Sequence, residues 1–380
     1  MKTVLSFGQP SWRFKSDKVS ATITRLGGHL APVEFQLGKK TVAPYAIAPW
    51  AEEKTSPGLP KMLQALRGDF FCAPFGGNDE AWKGEKHPAH GETANAVWKF
   101  ESLEQKDKDV VLHLSLKTRI RKGRVDKVLF LRKGETAIYS RHILSGMSGR
   151  MNIGHHATLK FPEGEGSGQI STSRFQSGQV LPVPFEDPAQ GGYNSLKAGA
   201  TFKRIDQVPK ADGTMADLSR YPARRGFEDL VMLTHRDHAD FAWSAVAFAK
   251  EGYAWFALKD PRVLQSTVFW MSNGGRHYAP WNGRHVDVMG IEDVTAYFHC
   301  GLAPSLKANA VNGRGVATSL PLYPEFPLVV NYIMAVAAIP RGFEKVKSIT
   351  PEKDGVMLQA TSGQKIFAPL DLSFLYETNL

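Results

Sequence analysis

The sequence has only two cysteines, Cys72 and Cys300, among its 380 residues. A chain of this length with two thiols carries no disulfide framework, and two thiols alone do not form a zinc cluster. Free thiols are typical of proteins in a reducing compartment. We therefore predict a cytoplasmic protein with two free cysteines and no metal site.

Long apolar runs are also missing. No stretch approaches the ~20 residues that a membrane-spanning helix needs. The chain reaches Gln9-Pro10-Ser11 before a signal-like apolar region can form. Neither a membrane contact nor a secretory signal is expected.

Acidic residues are fewer than basic ones: the chain has 37 Asp and Glu and 47 Lys and Arg, for a net charge of +10. The positive charges are scattered, and no RNP, zinc-finger or helix-turn-helix signature accompanies them, so no nucleic-acid partner is expected. Two explanations stay open at this point: a solvated basic surface, or attraction of an anionic substrate such as a sugar phosphate or a uronate. The chain also has no phosphate-cradling loop or dinucleotide fingerprint, which predicts no organic cofactor.

Helical periodicity is scarce, whereas strand patterns punctuated by turns are frequent. Lys61–Arg67 and Asp293–Gly301 could each form about two helical turns, too little for a helical layer. The 35 Gly and 23 Pro separate short β-branched and aromatic segments such as Val110–Thr118 and Tyr253–Leu258. Strands without intervening long helices favour antiparallel sheets packed face to face. We predict an all-β protein, a large antiparallel β-sandwich with few short helices, formed by residues 1–380 as one domain, with Pro162–Gly192 as a long loop.

Three segments concentrate side chains that can do chemistry. The first runs from Phe70 to Trp98 and contains His90-Gly91. The second is Asn152-Ile153-Gly154-His155-His156, where neighbouring histidines on a strand point to opposite faces. The third ends in Gly290-Ile291-Glu292, and a carboxylate that closes an apolar strand is costly to bury unless it is paired or working.

Together these segments resemble the galactose mutarotase (aldose 1-epimerase) superfamily. Members carry a His-Gly followed by a Trp, then Asn-x-x-x-His, then a late Glu at the end of a strand, and the three motifs occur here in that order. The resemblance spans roughly residues 20 to 300, and its specificity lies in order and spacing. One departure is that Pro74-Phe75-Gly76-Gly77-Asn78 lacks the arginines with which galactose mutarotases hold sugar hydroxyls. The chain thus resembles a divergent member of the superfamily.

The resemblance implies a large sandwich of the type called a supersandwich and an enzyme that interconverts sugar anomers. It implies Glu292 as the base, His156 as the acid and His90 as a hydrogen-bonding support. We expect a small sugar or sugar derivative as the partner, contacted by further side chains: Asn78, Trp98, His155, Arg276, His277 and Trp281. A metal site at His235-Arg236-Asp237-His238 is disfavoured because no third ligand is nearby.

Two other functions are compatible with the same sequence. A carbohydrate-binding protein without turnover would tolerate the missing arginines. A glycoside hydrolase or polysaccharide lyase of the same fold would, for hydrolysis, need a second working carboxylate opposite Glu292. The spacing of the sequence indicates no such partner.

Overall fold

The computed structural model describes residues 1–54, 58–235 and 240–378. Two large antiparallel sheets pack face to face and enclose the main hydrophobic core. The nine-stranded sheet has the spatial order Arg220–Tyr221, Gly168–Thr172, Ala242–Phe248, Tyr253–Lys259, Leu328–Ala338, Ala137–Ser145, Gly123–Arg132, Asp109–Thr118, Lys99–Lys106. The eight-stranded sheet has the order Thr201–Phe202, Phe175–Val180, Phe227–His235, Ser266–Asn273, Val288–Thr295, Ile153–His155, Phe71–Cys72, with Ala157–Lys160 also paired to Val288–Thr295. The predicted all-β antiparallel sandwich is confirmed.

Smaller sheets and short helices complete the described structure. A five-stranded N-terminal sheet contributes to the main core and consists of Val4–Ser6, Gln9–Lys15, Val19–Thr24, Leu30–Leu37 and Lys40–Val42. Two-stranded sheets are formed by Gly149–Met151 with Leu320–Leu322 and by Val208–Pro209 with Met215–Ala216. The α-helices are Lys61–Ala65 and Leu302–Leu306, and the 3-10 helices are Glu92–Ala94, Pro188–Gln190, Asn312–Arg314 and Leu372–Tyr376. Among the described residues, no helix is long and apolar enough to cross a membrane.

The C-terminal segment adds to the large sheets in two ways. Leu328–Ala338 is a central strand of the nine-stranded sheet, between Tyr253–Lys259 and Ala137–Ser145. A three-stranded sheet of Val346–Glu352, Gly355–Ala360 and Lys365–Pro369 then packs on the outer face of the nine-stranded sheet through a second hydrophobic cluster. The nine-stranded sheet is therefore covered on both faces, which explains why its central strands are apolar at nearly every position.

Two local expectations were wrong. Pro162–Gly192 was predicted as a loop, but it contains the strands Gly168–Thr172 and Phe175–Val180. The abundance of glycine and proline predicts a loop here, whereas Gly178 is a strand residue. The Phe202 ring packs against its backbone and leaves no space for a side chain, since a Cβ at Gly178 would be 2.2 Å from Phe202 Cε2.

The second wrong expectation concerns the segment after Glu292. Asp293–Gly301 was predicted as a possible helix, but its first residues continue the Val288–Thr295 strand. Both faces of this strand are buried, so polar and apolar positions do not alternate and the period-2 signal is lost. The other predicted helical segment does form one turn, at Lys61–Ala65.

Candidate active site

The candidate site lies on the outer face of the eight-stranded sheet, away from the main core. Leu230 pairs with Trp270, and Trp270 pairs with Gly290, on three adjacent strands. Because side chains alternate along a strand, Leu230, Trp270 and Glu292 share one face. The intervening residues Val231, Phe269 and Ile291 face the other sheet and belong to the main core.

Glu292 is buried on this face, with a relative exposure of 2%. Gly290, two residues earlier on the same face, provides the space for its carboxylate, since a Cβ at Gly290 would lie 2.4 Å from Glu292 Oε1. Burial raises the pKa of the Glu292 carboxyl well above its usual range. The glycine of the Gly-x-Glu motif is therefore required here, because any side chain at position 290 would collide with the Glu292 carboxylate.

His156 faces Glu292 from the segment between Ile153–His155 and Ala157–Lys160. Its Nε2 is 3.2 Å from Glu292 Oε1, and its Nδ1 is 3.1 Å from Thr158 Oγ1. The imidazole stacks on Phe70, with 4.4 Å between ring centroids. Burial lowers the pKa of His156 to about 3.

These opposite pKa shifts determine the charge state of the pair. The lowered pKa of His156 leaves its imidazole uncharged at neutral pH, and burial of Glu292 favours the protonated form of its carboxyl. In that form the pair as a whole is neutral and has one proton for two groups 3.2 Å apart. Two groups that share one proton in this way can give and accept a proton in either direction.

His90 is the third member of the cluster. Its ring centroid is 5.0 Å from that of His156, and the rings are nearly perpendicular. The edges of Phe70 and Phe75 enclose the imidazole. Burial lowers the pKa of His90 well below its usual value, so this imidazole is also uncharged.

Arg276 supplies a positive charge beside the three acid–base groups. Its Nε donates to Glu186 Oε1 at 2.6 Å and lies 4.0 Å from Glu228 Oε2. Its guanidinium carbon lies 4.5 Å from the centroid of the Trp281 ring and 5.6 Å from that of Trp270. Two carboxylates and two indoles thus fix the orientation of the guanidinium.

The acid–base groups line one cavity of about 90 Å³. Twelve side chains surround it: Met62, Leu63, Leu66, His90, His156, Phe185, Leu230, Trp270, Arg276, Trp281, Glu292 and His299. The structure therefore brings together five of the residues singled out in the sequence, namely His90, His156, Arg276, Trp281 and Glu292.

Two of the remaining predicted contacts lie in the interior of the sandwich. His155 points to the opposite side from His156, where its Nδ1 is 2.9 Å from Asp69 Oδ2 and its ring stacks on Tyr332. Trp98 belongs to the main core, and its Nε1 donates to Thr93 O. Neither side chain lines the cavity, because strand alternation turns His155 inward and core packing holds Trp98.

Asn78 and His277 also do not line the cavity. Asn78 is buried, and its amide donates to Gly76 O and Pro88 O while its Oδ1 accepts from the backbone of Leu302. These bonds use its polar atoms to hold the loop that ends at His90. His277 is exposed, near the Tyr193 ring, on the turn after Arg276.

Several residues at or beside the cavity were not found in the sequence. Trp270 lies between Leu230 and Gly290, a position that only strand register reveals. Its Nε1 donates to Glu228. Burial raises the pKa of the Glu228 carboxyl to about 7, although Arg276 and Ser272 act to lower it. Glu228 is the second residue of the apolar strand Phe227–His235, and a carboxylate at one end of an apolar strand also pointed to Glu292, so the sequence could have revealed it. His299, with a pKa lowered to about 4 by burial, follows a strand without any recognisable motif.

Larger cavities occur elsewhere on the described structure. One of about 590 Å³ lies around Arg174 and Lys203, and another of about 410 Å³ lies beside Asp229 on the opposite face of the same strands. Neither contains His90, His156 or Glu292. The smaller cavity is the candidate site because it holds the acid–base groups.

The metal site that the sequence disfavours falls mostly on Arg236-Asp237-His238, which lies outside the described residues. In the described ranges, no three His, Cys, Asp or Glu side chains are grouped so that they could hold a metal ion.

Solved structures share the architecture of this chain. One is a galactose mutarotase-like protein from Clostridium acetobutylicum, with a TM-score of 0.58, 12% identity, and coverage of 89% of this chain and 98% of the other. The chain has the galactose mutarotase-like fold. A galactose mutarotase related enzyme from Lactobacillus acidophilus is similar as well, with a TM-score of 0.55, 12% identity, and coverage of 87% and 99%. No family model and no curated protein matches this galactose mutarotase-like chain by sequence.

Proposed function

We propose that this protein is an aldose 1-epimerase-like enzyme that interconverts the anomers of a monosaccharide. The observation that carries the proposal is the direct contact between Glu292 and His156, with His90 beside them, in one cavity of about 90 Å³. The shared fold alone would not support it, because one fold can host many functions.

The chemistry consists of two coupled proton transfers. The Glu292 carboxylate takes the proton from the C1 hydroxyl while protonated His156 gives a proton to the ring oxygen, and the bond between C1 and the ring oxygen breaks. The open-chain aldehyde rotates about the bond between C1 and C2. Reclosure on the other face returns both protons and yields the other anomer, so no proton is consumed overall.

The neutral pair supplies the single proton that this cycle needs. In the resting state burial favours the proton on Glu292, as the pKa directions indicate. Transfer across the 3.2 Å contact produces carboxylate and imidazolium, which are the working forms of the base and the acid. The two forms differ only in the position of one proton.

The rest of the cavity suits one sugar ring. Trp270 and Trp281 provide the aromatic surfaces on which the apolar face of a pyranose can pack, and Arg276 and His299 provide polar contacts. Arg276 is already neutralised by Glu186 and lies near Glu228. An anionic sugar would have to compete with these carboxylates, so we propose an uncharged aldose as the substrate.

The hydrolase and lyase alternatives receive less support from the same geometry. Glu228 is a second buried carboxylate beside the site, bonded to the Trp270 indole, but it does not line the cavity. It accepts hydrogen bonds from Trp270, Ser272 and the backbone of Gly275. A carboxylate held in this way is not placed to activate water at a glycosidic bond.

A polarimetric assay over neutral, phosphorylated and acidic aldoses tests the proposal. We expect an acceleration of mutarotation above the spontaneous rate with at least one neutral aldose. Binding of a sugar without acceleration would favour the carbohydrate-binding alternative. Release of reducing ends from a glycan, or a rise in ultraviolet absorbance from an unsaturated uronate, would overturn the epimerase proposal.

A further inference from the structure

The inner nitrogen of the His90 ring has an unusual partner. Cys72 Sγ lies 3.4 Å from His90 Nδ1; Cys72 belongs to the hydrophobic cluster beside the site, whereas His90 lines the cavity. His90 itself has a positive φ of 60°, and its backbone N–H donates to Gly76 O at 2.7 Å. The backbone and the thiol therefore fix the orientation of the ring from two sides.

The direction of this contact follows from the chemistry of the two groups. Burial raises the pKa of the Cys72 thiol well above its usual value, so the sulfur carries a proton. An imidazole nitrogen is a stronger acceptor than a thiol sulfur. The other acceptor near the thiol, Phe70 O, is farther away at 3.9 Å.

We propose that Cys72 is a positioning residue that donates its S–H to His90 Nδ1 and thereby holds the imidazole in the tautomer with the proton on Nε2. Because Nδ1 is turned toward the sulfur, Nε2 is the ring nitrogen left to face the cavity that His90 lines. His90 then presents a permanent N–H donor to a ligand oxygen. Its catalytic consequence rests on the function proposed above.

With this tautomer, His90 and His156 have different roles. His90 offers a fixed hydrogen bond to the oxygen of the sugar, whereas His156 exchanges a proton with Glu292. With the opposite tautomer, His90 Nε2 would be an acceptor, and it would repel the lone pairs of a ring oxygen. The partner of the remote ring nitrogen commonly decides which tautomer a working histidine adopts.

Nitrogen-15 NMR of histidine-labelled protein tests the tautomer directly, with the His90 resonances identified by their loss in His90→Gln. In the wild type we expect His90 Nε2 to be protonated and Nδ1 to be unprotonated. Cys72→Ala should broaden or shift both signals toward a mixture of tautomers. Cys72→Ser, which keeps a donor at the same position, should retain the wild-type pattern, and Cys300→Ala serves as the matched cysteine control.

Kinetics on the same variants show whether the tautomer matters for turnover. We expect Cys72→Ala to lower kcat about 10-fold with little change in KM, a loss of the order that one hydrogen bond contributes. Cys72→Ser should restore most of kcat. A wild-type His90 protonated on Nδ1, or a tautomer unchanged in Cys72→Ala, would overturn the inference even if the enzyme is an active epimerase. If no sugar is turned over, the NMR result still decides the role of Cys72 while the proposed function fails.

Discussion

Glu292 Oε1 and His156 Nε2 lie 3.2 Å apart, and neither side chain is more than 5% exposed. In water, a glutamate and a histidine would titrate at about 4.3 and 6.5. Burial moves the two pKa values in opposite directions and past each other. Burial therefore favours the proton on Glu292 over the proton on His156.

The pH dependence of turnover should reflect this arrangement. We expect kcat/KM to stay constant as the pH falls from 7 to about 5, because burial lowers the pKa of His156 to about 3 and raises the pKa of Glu292. Polarimetry in buffers of matched ionic strength, with the spontaneous rate subtracted, measures this profile. An activity that falls by half at about pH 6.5 would mean that the histidine titrates normally.

Gly290→Ala should reduce activity without unfolding the protein. The new Cβ would lie 2.4 Å from Glu292 Oε1 and 3.2 Å from Trp270 Cβ, so the carboxylate must leave its contact with His156. We expect kcat to fall about 100-fold, as for a displaced acid–base group, while the melting temperature changes little. Gly313→Ala is the matched control, since a Cβ at Gly313 would have no neighbour within 4 Å. Equal activity of both variants would argue against a catalytic role for the contact between Glu292 and His156.

The buried ion pair behind the site gives a prediction on stability. Lys259 and Asp293 are each 1% exposed and lie 2.5 Å apart, and Tyr332 also donates to Asp293. Lys259→Met leaves a buried carboxylate without its cation, which typically costs about 3–5 kcal/mol. The double variant with Asp293→Leu should be more stable than the single variant, and denaturant titration measures both. A single variant as stable as the wild type would contradict the importance of this pair.

Acid should destabilise the protein from near neutral pH. Burial lowers the pKa of several histidines to about 3 or 4, including His29, His156, His285 and His299. Their stabilising contribution is present above the unfolded pKa of about 6.5 and is lost as the pH falls toward the folded values, because only the unfolded chain binds the protons. Each such group contributes up to about 1.4 kcal/mol per pH unit. Urea titrations at pH 7, 6 and 5 should show falling free energies of unfolding, and a constant free energy would contradict this account.

The architecture and the proposed acid–base residues were predicted from the sequence for different reasons. Turn residues between β-branched segments were sufficient to predict an antiparallel sandwich, and the spacing of three motifs pointed to His90, His156 and Glu292. Trp270 could not be found in this way, because its place beside the site depends on pairing with Gly290 across two strands. Trp98 was assigned to the site from the family motif and His155 as the neighbour of His156, and the fold places both side chains in the core.

Glycine had two roles that the sequence does not distinguish. In Pro162–Gly192 it suggested a loop, although Gly178 is a strand position covered by the Phe202 ring. At Gly290 it makes room for a carboxylate. That residues 1–380 form one domain stays a prediction.

Anomer exchange of an aldose, followed by NMR magnetisation transfer, tests the central claim most directly. With the wild type we expect exchange faster than the spontaneous rate on at least one neutral aldose. Glu292→Gln keeps the shape of the side chain but cannot carry the shared proton, so the catalysed exchange should fall at least about 100-fold. Glu80→Gln, at an exposed carboxylate paired with Lys307, should leave it unchanged. Catalysed exchange that persists in Glu292→Gln would contradict the account.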